Sequence, residues 1–234
     1  MTQAPGVLLV GFGSGARALA GRLLLLRLRG LLAENLEQAE TIAAERSPAA
    51  ALIHSDRVFE PGPLRSLAEA GEQPITLIGS GPRPGEPGLA VLRRADVKLV
   101  LFEPFGDGEL RFVLNRAIHG DHSSRREMRV PATMDGSVRS STGEKRVNIY
   151  NLSVGGAYLE TLRPTAEGGN ITLHLPLPSG AVELPARVVS TNVPGNLSRA
   201  NLPMGMGIQF VDPPPDAHSA LTGYVEERKA EFEI

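Results

Sequence analysis

Ile171-Thr172-Leu173-His174-Leu175-Pro176-Leu177 places an apolar residue at every second position. Side chains of an extended chain point alternately to two faces, so a period of two marks a strand with one face in a core. A helix would need apolar residues three and four apart. The surrounding sequence follows the same grammar. Val147 to Leu152, Ala157 to Glu160, Val182 to Ser190 and Gly207 to Asp212 are further short strand candidates, and Gly, Pro, Asn and Ser punctuate them. Strands this short and this frequent predict an antiparallel barrel or sandwich over residues 125 to 212. A helix follows, with Leu221, Tyr224 and Val225 on one face and Glu226, Glu227, Arg228 and Lys229 at its polar end.

Upstream the grammar changes. Val7-Leu8-Leu9-Val10, Ala50-Ala51-Leu52-Ile53, Ile75-Thr76-Leu77-Ile78 and Leu99-Val100-Leu101-Phe102 are continuous apolar runs, as in strands buried on both faces. Helical stretches alternate with them: about Ala16 to Arg29, Glu37 to Arg46, Pro63 to Ala70 and Glu109 to Ile118. Ala39, Ile42 and Ala43 share one face of the second. Strand–helix alternation predicts a doubly wound parallel α/β sheet over residues 7 to 118. Gly120-Asp121-His122-Ser123-Ser124 is small and polar, suited to a linker. Two domains are expected, 1–120 and 121–234: an α/β unit, then an antiparallel β-barrel with a C-terminal helix.

Composition narrows the chemistry. The 234 residues carry a formal net charge of −2, so nothing global favours DNA. The chain has no cysteine, which removes disulfides and thiolate metal sites. Its five histidines are scattered without a metal-ligand spacing. Leu23-Leu24-Leu25-Leu26 is the most apolar stretch, and Arg22, Arg27 and Arg29 flank it, so it is far short of the roughly 20 residues of a membrane span. Met1 to Gly6 lacks a basic n-region and a cleavage-like site. The expectation is a cytoplasmic protein without membrane insertion.

Ala95-Asp96 and Phe102-Glu103-Pro104-Phe105-Gly106-Asp107-Gly108-Glu109-Leu110 resemble the Lys-Pro-Phe segment and following helix of response-regulator receivers. The resemblance implies a receiver fold, and a working receiver needs an acidic pair after the first strand to hold magnesium, an acceptor aspartate after the third, and the lysine. Here Gly11 and Phe12 occupy the acidic slots, Glu103 replaces the lysine, and His54 falls in the acceptor slot, two residues before Asp56. An anion beside the phosphoryl position reverses the electrostatics of the reaction. A degenerate receiver that takes no phosphoryl group is expected. A rival reading is that Gly11-Phe12-Gly13-Ser14-Gly15 forms a dinucleotide-binding turn with Glu34 as ribose partner, although no strand clearly leads to Glu34.

Arg125-Arg126-Glu127-Met128-Arg129-Val130-Pro131 and Asn151-Leu152-Ser153-Val154-Gly155-Gly156 lie about twenty residues apart. Together they resemble the two-part signature of PilZ domains, Arg-x-x-x-Arg and Asp/Asn-x-Ser-x-x-Gly. Gly205 to Asp212 looks like that family's closing strand. The resemblance implies a ligand, cyclic di-GMP, bound by Arg125, Arg126, Arg129, Asn151, Ser153, Gly155 and Gly156, with no cofactor and no metal. The chemistry suits these residues. Guanidinium groups fork onto phosphate oxygens and stack on purines, and their donors match guanine O6 and N7. Asn151 offers a donor and an acceptor to a base edge, and Ser153 a hydroxyl to a phosphate or to the turn. Gly156 permits a positive φ or a close backbone approach. Arg126, outside the frame, adds only general attraction.

No catalytic set accompanies these residues, so a sensor or adaptor is expected rather than an enzyme. The family resemblance implies signal transduction in motility, surface polysaccharide or biofilm control. The implied partners are cyclic di-GMP and an unidentified protein, with a homodimer left open. The alternative is a ligand-independent interaction module that keeps only the barrel.

Overall fold

The computed structural model describes residues 4–57, 60–120, 127–194 and 201–234. The chain divides into two compact units, Met1–Asp121 with Glu231–Ile234, and His122–Ala230.

The first unit runs β1 (Gly6–Val10), α1 (Ala16–Leu25), β2 (Arg29–Ala33), α2 (Leu36–Arg46), β3 (Ala50–His54), α3 (Pro61–Glu69), β4 (Thr76–Gly81), α4 (Glu86–Arg94), β5 (Leu99–Phe102) and α5 (Asp107–His119). The strands form one parallel sheet in the order β2-β1-β3-β4-β5. All five residues of β1 are buried, which is why its sequence is apolar without alternation. Asn35 starts α2 by accepting the Gln38 N–H at 2.9 Å on its side chain, satisfying one of the free amides of the first turn. The order 2-1-3-4-5 is the doubly wound arrangement of flavodoxin-type sheets, whereas dinucleotide-binding sheets run 3-2-1-4-5-6. That topology disfavours the dinucleotide-turn reading of Gly11–Gly15.

Two elements differ from expectation. The helix expected over Ala16 to Arg29 stops at Leu25. Arg27 adopts a φ of 58°, and the Leu28 N–H returns to the Leu23 carbonyl, so the chain turns and Arg29 enters β2. Glu34 therefore does follow a strand, contrary to the sequence reading. Gly30 permits that strand to lie against α1, because a Cβ there would sit 2.9 Å from the Ala20 Cβ. Helix α4 was also unforeseen among Pro82, Pro84, Gly85, Pro87 and Gly88. Pro87 lies in its first turn, where a missing N–H costs nothing.

The second unit runs β6 (Val130–Ser140), β7 (Gly143–Ser153), β8 (Gly156–Glu160), β9 (Asn170–Leu177), β10 (Gly180–Asn192), β11 (Gly205–Phe210) and α6 (Pro215–Phe232). The six strands close into an antiparallel barrel, β10-β11-β8-β7-β6-β9. Strand β9 keeps its alternation, with Ile171, Leu173, Leu175 and Leu177 all buried. Those residues share one core with Val138, Ile149, Leu159, Leu184 and Ile208, and Ala217, Leu221, Tyr224 and Val225 of α6 complete it. Strand β6 was missing from the sequence reading. Pro131 is its second residue, and its register against β7 shifts between Pro131 and Met134, with Thr133 at a φ of 44°. A bulge of that kind breaks the period-two pattern that reveals a strand.

Candidate functional site

Strand pairing brings the two half-motifs together. At the start of β6, Val130 pairs with Leu152 and Pro131 with Asn151. The residues just before β6 therefore run beside the end of β7, where Asn151 and Ser153 stand. Arg129 donates from Nη1 to Asn151 Oδ1 at 2.8 Å, across 22 positions of sequence. Asn151 is 6% exposed and Ser153 3%, although both are polar. Burial without a partner would be costly, so both side chains are tied down. Ser153 uses its hydroxyl to hold the turn, donating to the Gly156 carbonyl at 3.1 Å.

The turn itself is two residues, Val154 and Gly155, between β7 and β8. The Gly155 carbonyl accepts the Phe210 N–H at 2.9 Å, which fastens the turn to the end of β11. The Gly155 N–H is taken by Glu127 Oε2 at 2.5 Å. Gly156 is required by close approach: a Cβ there would run into the Ile208 carbonyl oxygen of β11, and its φ lies outside the left-handed region. Arg125 and Arg126 lie outside the described residues. Arg129 is half-buried and engaged with Asn151. Glu127 is the residue that sequence reasoning missed. Its position within the arginine frame was visible; its contact 28 residues away was not.

Two open grooves lie elsewhere on the barrel. One of about 460 Å3 is lined by residues including Arg139, Asn170 and Pro185, and one of about 660 Å3 by residues including Lys145, Arg146 and His174. Neither lining includes Arg129, Asn151 or Ser153. Lys145, half-buried, donates to the Arg163 carbonyl at 2.6 Å, and burial lowers its pKa from the ordinary lysine value.

At the C-terminal ends of the parallel strands, the receiver slots hold unsuitable groups. Gly11, at a φ of 78°, is covered by the aliphatic stem of Arg57. Phe12 packs edge-on to His54 with ring centroids 5.2 Å apart. His54 is the last residue of β3, and Asp56 follows in a short 3-10 turn with its side chain 71% exposed. Glu103 is exposed and joined to Pro104 by a cis peptide. Among the described residues no group of three or more His, Asp or Glu side chains is placed to hold a metal ion.

Arg129, Asn151 and Ser153 thus meet where β6 begins and β7 ends. Residues 123–227 match the family model of the PilZ domain. Among solved structures, the PilZ domain of YcgR from Escherichia coli, determined with c-di-GMP, is similar at 20% identity, covering 47% of this chain and 94% of that one, with a TM-score of 0.35. The Bacillus subtilis inhibitor of motility MotI is similar at 20% identity over 46% of this chain and 52% of its own, with a TM-score of 0.37. The signal receiver domain of an HD domain-containing protein from Pseudomonas fluorescens Pf-5 is similar at 22% identity over 52% of this chain and 99% of its own, with a TM-score of 0.45. No curated protein matches the chain. The fold is a receiver-like parallel sheet followed by a PilZ-like closed barrel with a C-terminal helix. Among the described residues no helix is long and apolar enough to cross a membrane.

Proposed function

We propose that the chain is a non-enzymatic effector that binds cyclic di-GMP at the end of its PilZ barrel and relays that event to a protein partner. The Arg129–Asn151 hydrogen bond carries this reading, because it links a residue of each half-motif. In the proposal Arg125 and Arg129 fork onto the ligand's phosphates or stack on its guanines, and Arg126 adds attraction from outside that frame. Asn151 keeps Arg129 aimed and meets a base edge. Ser153, Gly155 and Gly156 shape the turn that receives the ligand. Ligand binding fixes the arginine frame against β7, and the free energy comes from the higher ligand affinity of that arrangement.

Residues 1–120 act in this reading as a protein-facing unit rather than a phosphorylation switch, and residues 121–234 as the sensor. The output is motility, surface polysaccharide or biofilm control, in a cytoplasmic setting. Calorimetric titration with cyclic di-GMP and cyclic di-AMP at one salt concentration tests the ligand. Adenine replaces the guanine O6 acceptor with an amino donor, so arginine donors lose their match. Cyclic di-GMP should bind more tightly. Equal affinities would sink the assignment, and no heat with either ligand would favour the ligand-independent module.

A further inference from the structure

The contact between Glu127 and Gly155 places an anion inside the surface just described. Glu127 stands between Arg126 and Arg129, in the middle of the arginine frame. Its carboxylate accepts the Gly155 N–H at 2.5 Å. A Cβ on residue 155 would collide with that carboxylate, whose Oε1 lies 2.7 Å from the Cβ position. The acid therefore lies directly on the backbone, and it reaches the amide only because residue 155 is glycine. Residue 127 is itself exposed, so the core does not depend on the contact and the side chain is free to swing into water.

A carboxylate and a phosphodiester make the same demand on this site. Each is a singly charged pair of oxygens that accepts a backbone N–H and a guanidinium fork. We propose that Glu127 is a built-in competitor for the ligand phosphate, occupying the Gly155 amide in the resting protein until cyclic di-GMP displaces it. The inference rests on the cyclic di-GMP reading above. Glu127 has two effects. It holds the segment before β6 against the β7–β8 turn, so the site is partly organised before ligand arrives. It also lowers affinity, since the observed constant is the intrinsic one divided by the fraction of sites with the amide free. One exposed, charge-assisted contact sets that factor at about three- to tenfold.

The test uses the full chain. Cyclic di-GMP is titrated calorimetrically into wild type, Glu127→Gln and Glu127→Ala. Glu160→Gln serves as control, because it removes the same charge from the far end of β8. The Gly155 amide is followed by NMR in isotope-labelled wild type and Glu127→Ala. Both Glu127 variants should bind about three- to tenfold more tightly, and Glu160→Gln should stay within about twofold of wild type. Without ligand, the Gly155 amide proton should lie further downfield in wild type than in Glu127→Ala. If wild type binds and the Glu127 variants bind equally or more weakly, the competitor role is wrong while the ligand reading stands. A gain of the same size in Glu160→Gln would reduce the effect to bulk charge and overturn the proposal. If neither wild type nor the variants bind, the ligand reading fails and the competitor role with it.

Discussion

Two neighbouring glycines, Gly155 in the β7–β8 turn and Gly156 at the start of β8, should respond very unequally to the same added methyl group. In Gly156→Ala the new Cβ meets the Ile208 carbonyl oxygen, with Gln209 Cα 3.4 Å away. Both belong to β11, which is held in register against β8 by the Gly207↔Tyr158, Ile208↔Ala157 and Gln209↔Gly156 pairs and against β10 on its other side. Backbone fixed in two ladders cannot step aside, so the cost falls at the upper part of the overpacking range, about 2–3 kcal/mol. For a unit of this size that lowers Tm by roughly 10–20 °C. In Gly155→Ala the Cβ meets only the end of the Glu127 side chain, which can swing out. Its stability cost should stay within about 0.5 kcal/mol, the ordinary surface value. The assay can be confined to the barrel. The chain has no tryptophan, and its three tyrosines, Tyr150, Tyr158 and Tyr224, all lie in the second unit, so tyrosine emission during melting reports that unit alone. Equal Tm losses for the two variants, or a larger loss for Gly155→Ala, would refute the close-approach account of Gly156.

Incubation with acetyl phosphate and magnesium should leave the intact mass unchanged, because Gly11, Phe12 and Glu103 stand in the slots of the acids and the lysine. A stable phosphoryl adduct that disappears in Asp56→Asn would contradict this. A second expectation concerns Tyr158, whose phenol is held well above the ordinary tyrosine value by burial, then by the Glu160 charge, with a hydrogen bond from Asn192 partly opposing. Its hydroxyl donates to the Pro203 carbonyl at 2.6 Å. A folded-state pKa raised above the unfolded one gives stability that is complete below pH about 10 and is lost as pH rises from there. Melting from pH 8 to 11 should show a steeper alkaline loss in wild type than in Tyr158→Phe, and identical slopes would show that this group is not responsible.

The strands that were legible in the sequence were those with an undisturbed pattern. Leu99–Phe102 could be read to the residue because an apolar run buried on both faces needs no context. Ile171–Leu177 could be read because nothing interrupts its alternation. The elements that escaped were those shaped by distant contacts. Strand β2 is hidden by the leucines before it, which look helical until Arg27 turns the chain. Strand β6 is hidden by its bulge and by Pro131. At the site, the motif residues were legible as a set, yet their division of labour was not. Ser153 holds the turn, Gly156 makes room for β11, and Arg129 rests on Asn151. The role of Glu127 depends on a residue 28 positions away, which no local pattern in the sequence specifies.

The central claim is that cyclic di-GMP is held by the arginine frame against Asn151. Calorimetric titration of wild type, Arg125→Ala and Arg129→Ala with cyclic di-GMP at fixed salt tests it most directly. Each substitution should weaken binding by ~1.5–3 kcal/mol, the range for a hydrogen bond to a charged group, which is about tenfold or more in affinity. Arg129→Ala should leave the barrel folded, by the tyrosine-detected melt, because Arg129 is half-buried just before β6 and is not part of the barrel's apolar core. Wild-type affinity retained in both variants, with the barrel intact, would contradict the account.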